Sequence, residues 1–282
     1  MRQQIQRGIR AALGLLLLLS VSGCGFTFSP EELYSLPQLP AEYTELNNCL
    51  NQVLESGAEY AAPVSGSNIQ PVQLEDLDGD GAQEAVAFFR NSAEEKPLKI
   101  YIFTPRNDTY EQAAVIEGTG TSIYSIAYED LDQDGQKELL VGWRVNTDMQ
   151  ALSVYSLRSG QPEELIQGTS YVRYAVNDLN QDGLWELVVF RADEENNGIA
   201  DYYCWQEGEL QLRTSARITS TMAELSQQGK VRSGVLQDGI PALFVTGVEE
   251  SAWMATDILA VRNEELVNIL LSDVTGVSSE VA

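Results

Sequence analysis

Three nine-residue stretches decide the fold: Asp76-Leu77-Asp78-Gly79-Asp80-Gly81-Ala82-Gln83-Glu84, Asp130-Leu131-Asp132-Gln133-Asp134-Gly135-Gln136-Lys137-Glu138 and Asp178-Leu179-Asn180-Gln181-Asp182-Gly183-Leu184-Trp185-Glu186. They are nearly superimposable, and their starts lie 54 and 48 residues apart. Each runs straight into an apolar strand, Ala85 to Phe89, Leu139 to Trp143 and Leu187 to Phe190, followed by a loop and a second hairpin. These second hairpins also align, at Lys99 to Phe103, Leu152 to Tyr155, Asp201 to Trp205 and Asp257 to Val261. The last belongs to a fourth unit, where Gln237-Asp238-Gly239 and the strand Leu243 to Thr246 keep the Asp-Gly turn but lack acids at the first, third and ninth positions. Four units of roughly 50 residues predict an all-β fold, a β-propeller-like array of about four four-stranded blades spanning residues 58–282. Past Ser272, Val274-Thr275-Gly276 echoes Glu117-Gly118-Thr119 ahead of the second motif. Two expectations follow: an array whose last blade is incomplete, or a complete set of four.

In the pattern D-x-D-x-D-G-x-x-E, the side chains at positions 1, 3 and 5 turn oxygens toward one point, and Gly at position 6 permits the sharp bend. Such a pocket suits a hard cation. Calcium takes about six to eight oxygen ligands at about 2.3 to 2.6 Å, and the loop offers three side chains, the carbonyl at position 7 and the carboxylate at position 9. An EF-hand would need a bidentate Glu at position 12 between two helices, whereas position 12 here is Ala87, Val141 or Val189 inside a strand. One Asp-Gly turn alone would carry little weight, because hairpins use it for conformational reasons; three in phase carry much more. Without an ion, each loop crowds like charges together, so metal binding is expected to couple to folding. The fourth loop is expected to bind none.

These loops resemble the FG-GAP/VCBS repeats of integrin α-chain propellers and of many secreted bacterial proteins, over roughly residues 60–273. The resemblance implies calcium held in hairpin loops within each blade, at two or three structural sites. Carried over residue by residue, the first set is Asp76, Asp78, Asp80, the Ala82 carbonyl and Glu84; the second is Asp130, Asp132, Asp134, the Gln136 carbonyl and Glu138. The third is Asp178, Asn180, Asp182, the Leu184 carbonyl and Glu186, expected to be weaker because Asn180 replaces a charge with a neutral oxygen. Glu at position 9 departs from the Asp usual in integrins and lengthens that arm. The Phe-Gly and Gly-Ala-Pro signatures of the family are absent.

Ahead of the repeats, residues 41–57 read as one amphipathic helix, with Tyr43, Leu46, Leu50, Val53 and Leu54 at helical spacing and Gly57 as a stop, packed on the repeat domain. The first 23 residues read as an export signal: Arg2, Arg7 and Arg10, an apolar run from Ala11 to Leu19, then small residues. That run is shorter than the roughly 20 residues a permanent span needs. Val21-Ser22-Gly23-Cys24 resembles the bacterial lipobox, which implies lipidation of Cys24 and a chain anchored to the outer face of the cell membrane, with residues 24–40 as tether. Pro30, Pro37 and Pro40 prevent a continuous helix in that tether.

With 17 basic and 42 acidic residues the chain carries a net charge of −25, which excludes nucleic acid as a natural partner. Loss of the signal would leave −28, a body repelled by anionic headgroups and held by acyl chains alone. Histidine is absent, which removes His-dependent nucleophilic catalysis and makes zinc improbable. Cys49 and Cys204 are expected either to pair in an oxidising exterior or to stand as two buried thiols. The functional expectation is a non-enzymatic, calcium-binding envelope lipoprotein, a binding or scaffold module for an extracellular protein or glycan. Trp143, Trp185, Trp205, Trp253, Tyr171, Tyr174, Tyr202 and Tyr203 are candidate surface aromatics, though most fall on strands where core packing is the ordinary use. The alternative is a glycan- or phosphoester-processing enzyme. The acids left for it, Glu94-Glu95, Glu163-Glu164, Glu194-Glu195 and Glu249-Glu250, look like solvated loop charge, and Gly66 and Gly118 lie in turns without a nucleophile-elbow context.

Overall fold

Apolar runs bounded by Asp, Asn and Gly turns fold here as four antiparallel meanders. A computed structural model describes residues 43–106, 109–227, 230–246 and 256–271. The signal segment, Cys24, the tether, Trp253, Glu249-Glu250 and residues 272–282 therefore lie outside the described residues. The first sheet contains β1 (Glu59–Tyr60), β2 (Val72–Glu75), β3 (Glu84–Arg90), β4 (Leu98–Arg106) and β5 (Thr109–Gly118), with β1 and β2 both paired to β3. The second is β6 (Ser122–Glu129), β7 (Glu138–Arg144), β8 (Gln150–Ser156) and β9 (Glu163–Tyr171). The third is β10 (Arg173–Asn177), β11 (Glu186–Ala192), β12 (Gly198–Gln206) and β13 (Glu209–Arg217). The fourth is β14 (Lys230–Val235), β15 (Pro241–Thr246), β16 (Asp257–Arg262) and β17 (Glu265–Asn268). Strands pair in chain order from β2 to β5 in the first sheet and throughout the other three, the blade organisation expected of a propeller-like array.

Consecutive sheets share cores. Val86, Phe88 and Ile102 of the first sheet pack with Leu139, Val141 and Tyr155 of the second. Leu140, Leu152 and Val154 meet Leu187 and Val189 across the next interface, and Val188, Phe190 and Tyr202 meet Leu243, Val245 and Leu259 across the last. Because side chains alternate between faces, β3, β7 and β11 bury both faces at once and so read in sequence as unbroken apolar runs.

The other face of the first sheet, formed by Ala85, Ala87, Phe89 and Phe103, is covered by helix α1 (Thr44–Glu55) through Leu46, Leu50 and Val53. The helix is two to three residues shorter at each end than the sequence suggests. Its N-cap, Tyr43, makes no capping side-chain bond, so packing holds it. No described core joins the fourth sheet to the first. A second short helix, α2 (Met222–Gln227), sits between the third and fourth sheets and buries Leu225 in their shared core.

Cys49 and Cys204 are both free thiols here, half-buried where the sequence suggested either a disulfide or two buried thiols. The Cys49 thiol donates to the Tyr110 carbonyl at 3.2 Å, and burial pushes its pKa up. Buried Asp257 ties the last two sheets together by accepting from Thr219 N–H (2.7 Å) and Oγ1 (2.8 Å), Ser220 N–H (3.1 Å) and Oγ (2.8 Å) and Asn268 Nδ2 (2.7 Å). Burial raises its carboxyl pKa, but these donors outweigh burial and hold it below the ordinary value. Among the described residues no helix is long and apolar enough to cross a membrane.

Candidate metal centres

The repeated acids lie in the hairpin loops that join β2 to β3, β6 to β7 and β10 to β11, within one sheet each as the resemblance implied. Each loop is built by its own side chains. The position-1 carboxylate accepts the position-6 N–H in all three: Asp76 from Gly81 (3.1 Å), Asp130 from Gly135 (3.0 Å) and Asp178 from Gly183 (3.2 Å). Position 5 accepts from position 7: Asp80 from Ala82 (2.7 Å), Asp134 from Gln136 (2.8 Å) and Asp182 from Leu184 (2.8 Å). These are Asx-type turns, which explain why short acidic residues occupy both positions whether or not metal is present. The Gly at position 6 has φ near +90° in every loop (+88°, +93° and +90°), a conformation that strains any L side chain. Position 4 is left-handed too, at Gly79, Gln133 and Gln181, a requirement the sequence pattern conceals because two of the three are Gln.

Position 9 does two things at once. Glu84, Glu138 and Glu186 are 3%, 0% and 1% exposed. One oxygen of each accepts the N–H of position 2: Leu77 (3.0 Å), Leu131 (3.0 Å) and Leu179 (2.7 Å). This explains the departure to Glu: the longer arm reaches across the loop mouth while its strand stays in register. Burial, resisted by the position-2 N–H and aided by neighbouring aspartates, pushes the carboxyl pKa of Glu84 up and those of Glu138 and Glu186 to about 7.

Three ligand-capable oxygens converge within 4.8 Å of one another in each loop: from Asp76, Asp78 and Glu84, from Asp130, Asp132 and Glu138, and from Asp178, Asp182 and Glu186. In the first two loops the position-5 residues, Asp80 and Asp134, stay outside the triad. In the third, Asp182 joins it, and Asn180 turns its amide to donate to Asp182 Oδ2 at 2.8 Å. Each loop also contains one buried carboxylate oxygen without a hydrogen-bond partner: Glu84 Oε1, Asp132 Oδ1 and Asp178 Oδ1. A buried unsatisfied polar atom costs about 1–3 kcal/mol, and more when charged. Three acidic triads, each with such an oxygen, can hold a metal ion. The fourth loop contributes no such group among the described residues; it has no acid at its first, third or ninth position.

The loops also touch one another. Lys137 N–H donates to the Leu77 carbonyl (2.8 Å) and Trp185 N–H to the Leu131 carbonyl (2.7 Å), so position 8 of each loop is bonded to position 2 of the one before. Lys137 Nζ pairs with Glu75, and a Cβ at Gly79 would collide with the Gly135 carbonyl.

The FG-GAP-like repeat family model matches residues 76–141. That span opens on the first Asp of the first loop and closes inside β7, so it contains both of the four-acid loops. The third loop, outside the match, repeats the geometry of the first two down to the position-1, position-5 and position-9 hydrogen bonds. No curated protein matches the chain.

One further feature escaped the sequence. Arg158, in the β8–β9 turn, reaches back into the second loop, pairing through Nη2 with Asp132 and with Glu138 (3.3 Å) and through Nε with Asp134 (3.0 Å). Of the candidate aromatics, Trp143, Tyr171 and Tyr202 are core residues, Tyr174, Tyr203 and Trp205 are half-buried against a core, and Trp185 is the exposed one at 38%. Trp185 sits at position 8 of the third loop, one residue before Glu186.

Proposed function

We propose that this chain is an exported, lipid-anchored calcium-binding module of the bacterial cell envelope, acting without catalysis as a binding or scaffold surface. The observation that carries the calcium reading is the buried, unpartnered carboxylate oxygen repeated in each of the three loops. Hard oxygen donors of high charge density suit calcium or magnesium, and a loop of carboxylates and backbone carbonyls with irregular spacing favours the larger, geometrically tolerant ion. In this role calcium would pin hairpins already linked by their position-8 N–H groups, and so stiffen the edge where the first three sheets meet.

The non-enzymatic part rests on the clefts. One of about 410 Å³ between the first two sheets offers a single carboxylate outside the loops, Glu111, and Arg106 lies 3.9 Å from it. Another of about 450 Å³ offers Glu264, paired with Arg213 at 2.5 Å. Neither provides the two free carboxylates that acid–base hydrolysis requires. Anchoring rests on Cys24 and its preceding segment, and the acidic body makes acyl chains the natural means of attachment.

Thermal unfolding in chelator and in millimolar calcium tests the calcium reading, since a ligand specific for the native state raises stability by mass action. A calcium-dependent rise that shrinks in the Asp78→Asn, Asp132→Asn double variant is expected; an unchanged transition with and without calcium would leave the loops as acidic turns. Cys24→Ala is expected to move the protein from the membrane fraction to the exported soluble fraction, and retention in the membrane would refute the anchor.

A further inference from the structure

Building on the calcium reading, we propose that the second loop is an exchange site: Arg158 is its resident cation, and a metal enters by displacing the guanidinium from Asp132, Asp134 and Glu138. Three of the four carboxylates in that loop are engaged by this one side chain, and Nη2 alone contacts two of the three oxygens-bearing residues of the metal triad. A divalent ion and the guanidinium would compete for the same negative charge at the same point. The first and third loops have no such pair among the described ion pairs, so the second is set apart by a residue distant in sequence.

The fourth sheet supports this independently. The cross-strand pairs Val86↔Ile102, Leu140↔Val154, Val188↔Tyr202 and Phe244↔Ile258 align the four units. Four residues beyond the second member of each pair stand Arg106, Arg158, Gln206 and Arg262. In the fourth unit, whose loop has lost its other acids, Arg262 Nη2 meets the retained acid Asp238 at 3.2 Å. Asp238 occupies the place of Asp134, the fifth position, and accepts from Ile240 N–H (3.3 Å) as Asp134 accepts from Gln136 N–H (2.8 Å). An arginine at one register of the blade thus reaches the same acid in two units, once where no metal triad exists and once where one does. In the first unit Arg106 turns to Glu111 instead, and the third has the neutral Gln206.

Arg158 also has somewhere else to act. Its guanidinium carbon lies 5.0 Å from the centre of the Trp205 ring, on β12 of the third sheet. The turn that carries it is fixed by Arg158 N–H donating to the buried Ser156 Oγ (3.4 Å) and by Gly160 at φ +72°. Displacement from the acids would therefore alter the cation facing Trp205 and report loading of the second loop at the interface between the second and third sheets.

The test is a calcium titration of the full chain in detergent, followed by heat and by tryptophan emission, comparing wild type with Arg158→Ala, Arg158→Lys, Arg106→Ala and Trp205→Phe. Arg158→Ala is expected to tighten one calcium site by about 10-fold or more, the scale of a charge-assisted hydrogen bond, and to lower the unfolding temperature in chelator. The Trp205-dependent emission change on adding calcium is expected to vanish in Arg158→Ala, while Arg106→Ala leaves every affinity unchanged. Arg158→Lys keeps the charge without the fork and is expected to fall between wild type and Arg158→Ala, which covers the case in which the alanine variant does not fold in chelator. Calcium binding with every affinity within twofold of wild type in the Arg158 variants would overturn the exchange while leaving the calcium sites standing. Binding by none of the proteins would overturn both.

Discussion

Replacing Glu84 by Gln should stabilise the metal-free protein and shrink the stabilisation that calcium adds. The Glu84 side chain is buried, its Oε2 accepts from Leu77 N–H at 3.0 Å, and its Oε1 has no partner. Gln keeps an acceptor for Leu77 while removing a buried charge that faces Asp78 and Asp80. In chelator at pH 8 the variant therefore sheds most of an unsatisfied-atom cost of about 1–3 kcal/mol. For a domain of this size each kcal/mol moves the midpoint by about 2–4 °C, so a rise of up to roughly 12 °C is expected. In calcium most or all of this gain is offset. A site filled at a hundred times its dissociation constant contributes about 2.7 kcal/mol, and loss of a charged ligand that weakens binding tenfold removes about 1.4 kcal/mol of it. Calorimetry or circular dichroism melts of both proteins, in chelator and in excess calcium, should thus show the variant above wild type in the first condition and closer to it or below it in the second. A shift of the same sign and size in both conditions would refute Glu84 as a metal ligand and leave it a hydrogen-bonded strand residue.

The buried glutamates also set a pH dependence. Glu138 and Glu186 hold their protons up to about pH 7, against an ordinary value of 4.5, chiefly because burial disfavours the charge. The folded metal-free protein therefore binds more protons than the unfolded chain between these values; the stability this contributes is complete below about pH 4.5 and lost as pH rises through about 7. Melts in chelator should fall between pH 5.5 and pH 8, calcium affinity should rise over the same interval as protons leave the ligands, and Glu138→Gln with Glu186→Gln should flatten both trends; a wild-type melting temperature in chelator that holds level over this range would contradict the assignment. At the turns, Gly135→Ala forces a side chain into φ +93° with open space around it and should cost about 1–2 kcal/mol. Gly79→Ala adds a collision with the Gly135 carbonyl of the neighbouring loop and should cost more, measurable by urea unfolding in calcium; equal costs would argue against loop-to-loop contact.

What could be read from the sequence alone were features whose cause is local. The Asx turns of Asp76, Asp130 and Asp178 and the left-handed glycines at position 6 are decided within nine residues, so the loops announced themselves wherever they occurred. Apolar runs between turn residues marked the strands, and the leucine spacing of α1 marked the helix, because each pattern answers to faces that must be buried. The phase of the repeats then gave blades. Tertiary structure alone decided the rest, because it depends on residues brought together from distant parts of the chain. Nothing near Asp132 announces Arg158, which arrives from the next hairpin, nor Trp205 from the sheet after that. The backbone bonds from Lys137 and Trp185 leave no trace in side-chain identity. Burial of Glu138, and with it a proton held to about pH 7, exists only once the loop mouth has closed over it. The sequence placed Asn180 and ranked the third loop weakest on charge count; the fold brings Arg158 against the acids of the second, because charge balance in a site is settled by everything that packs against it.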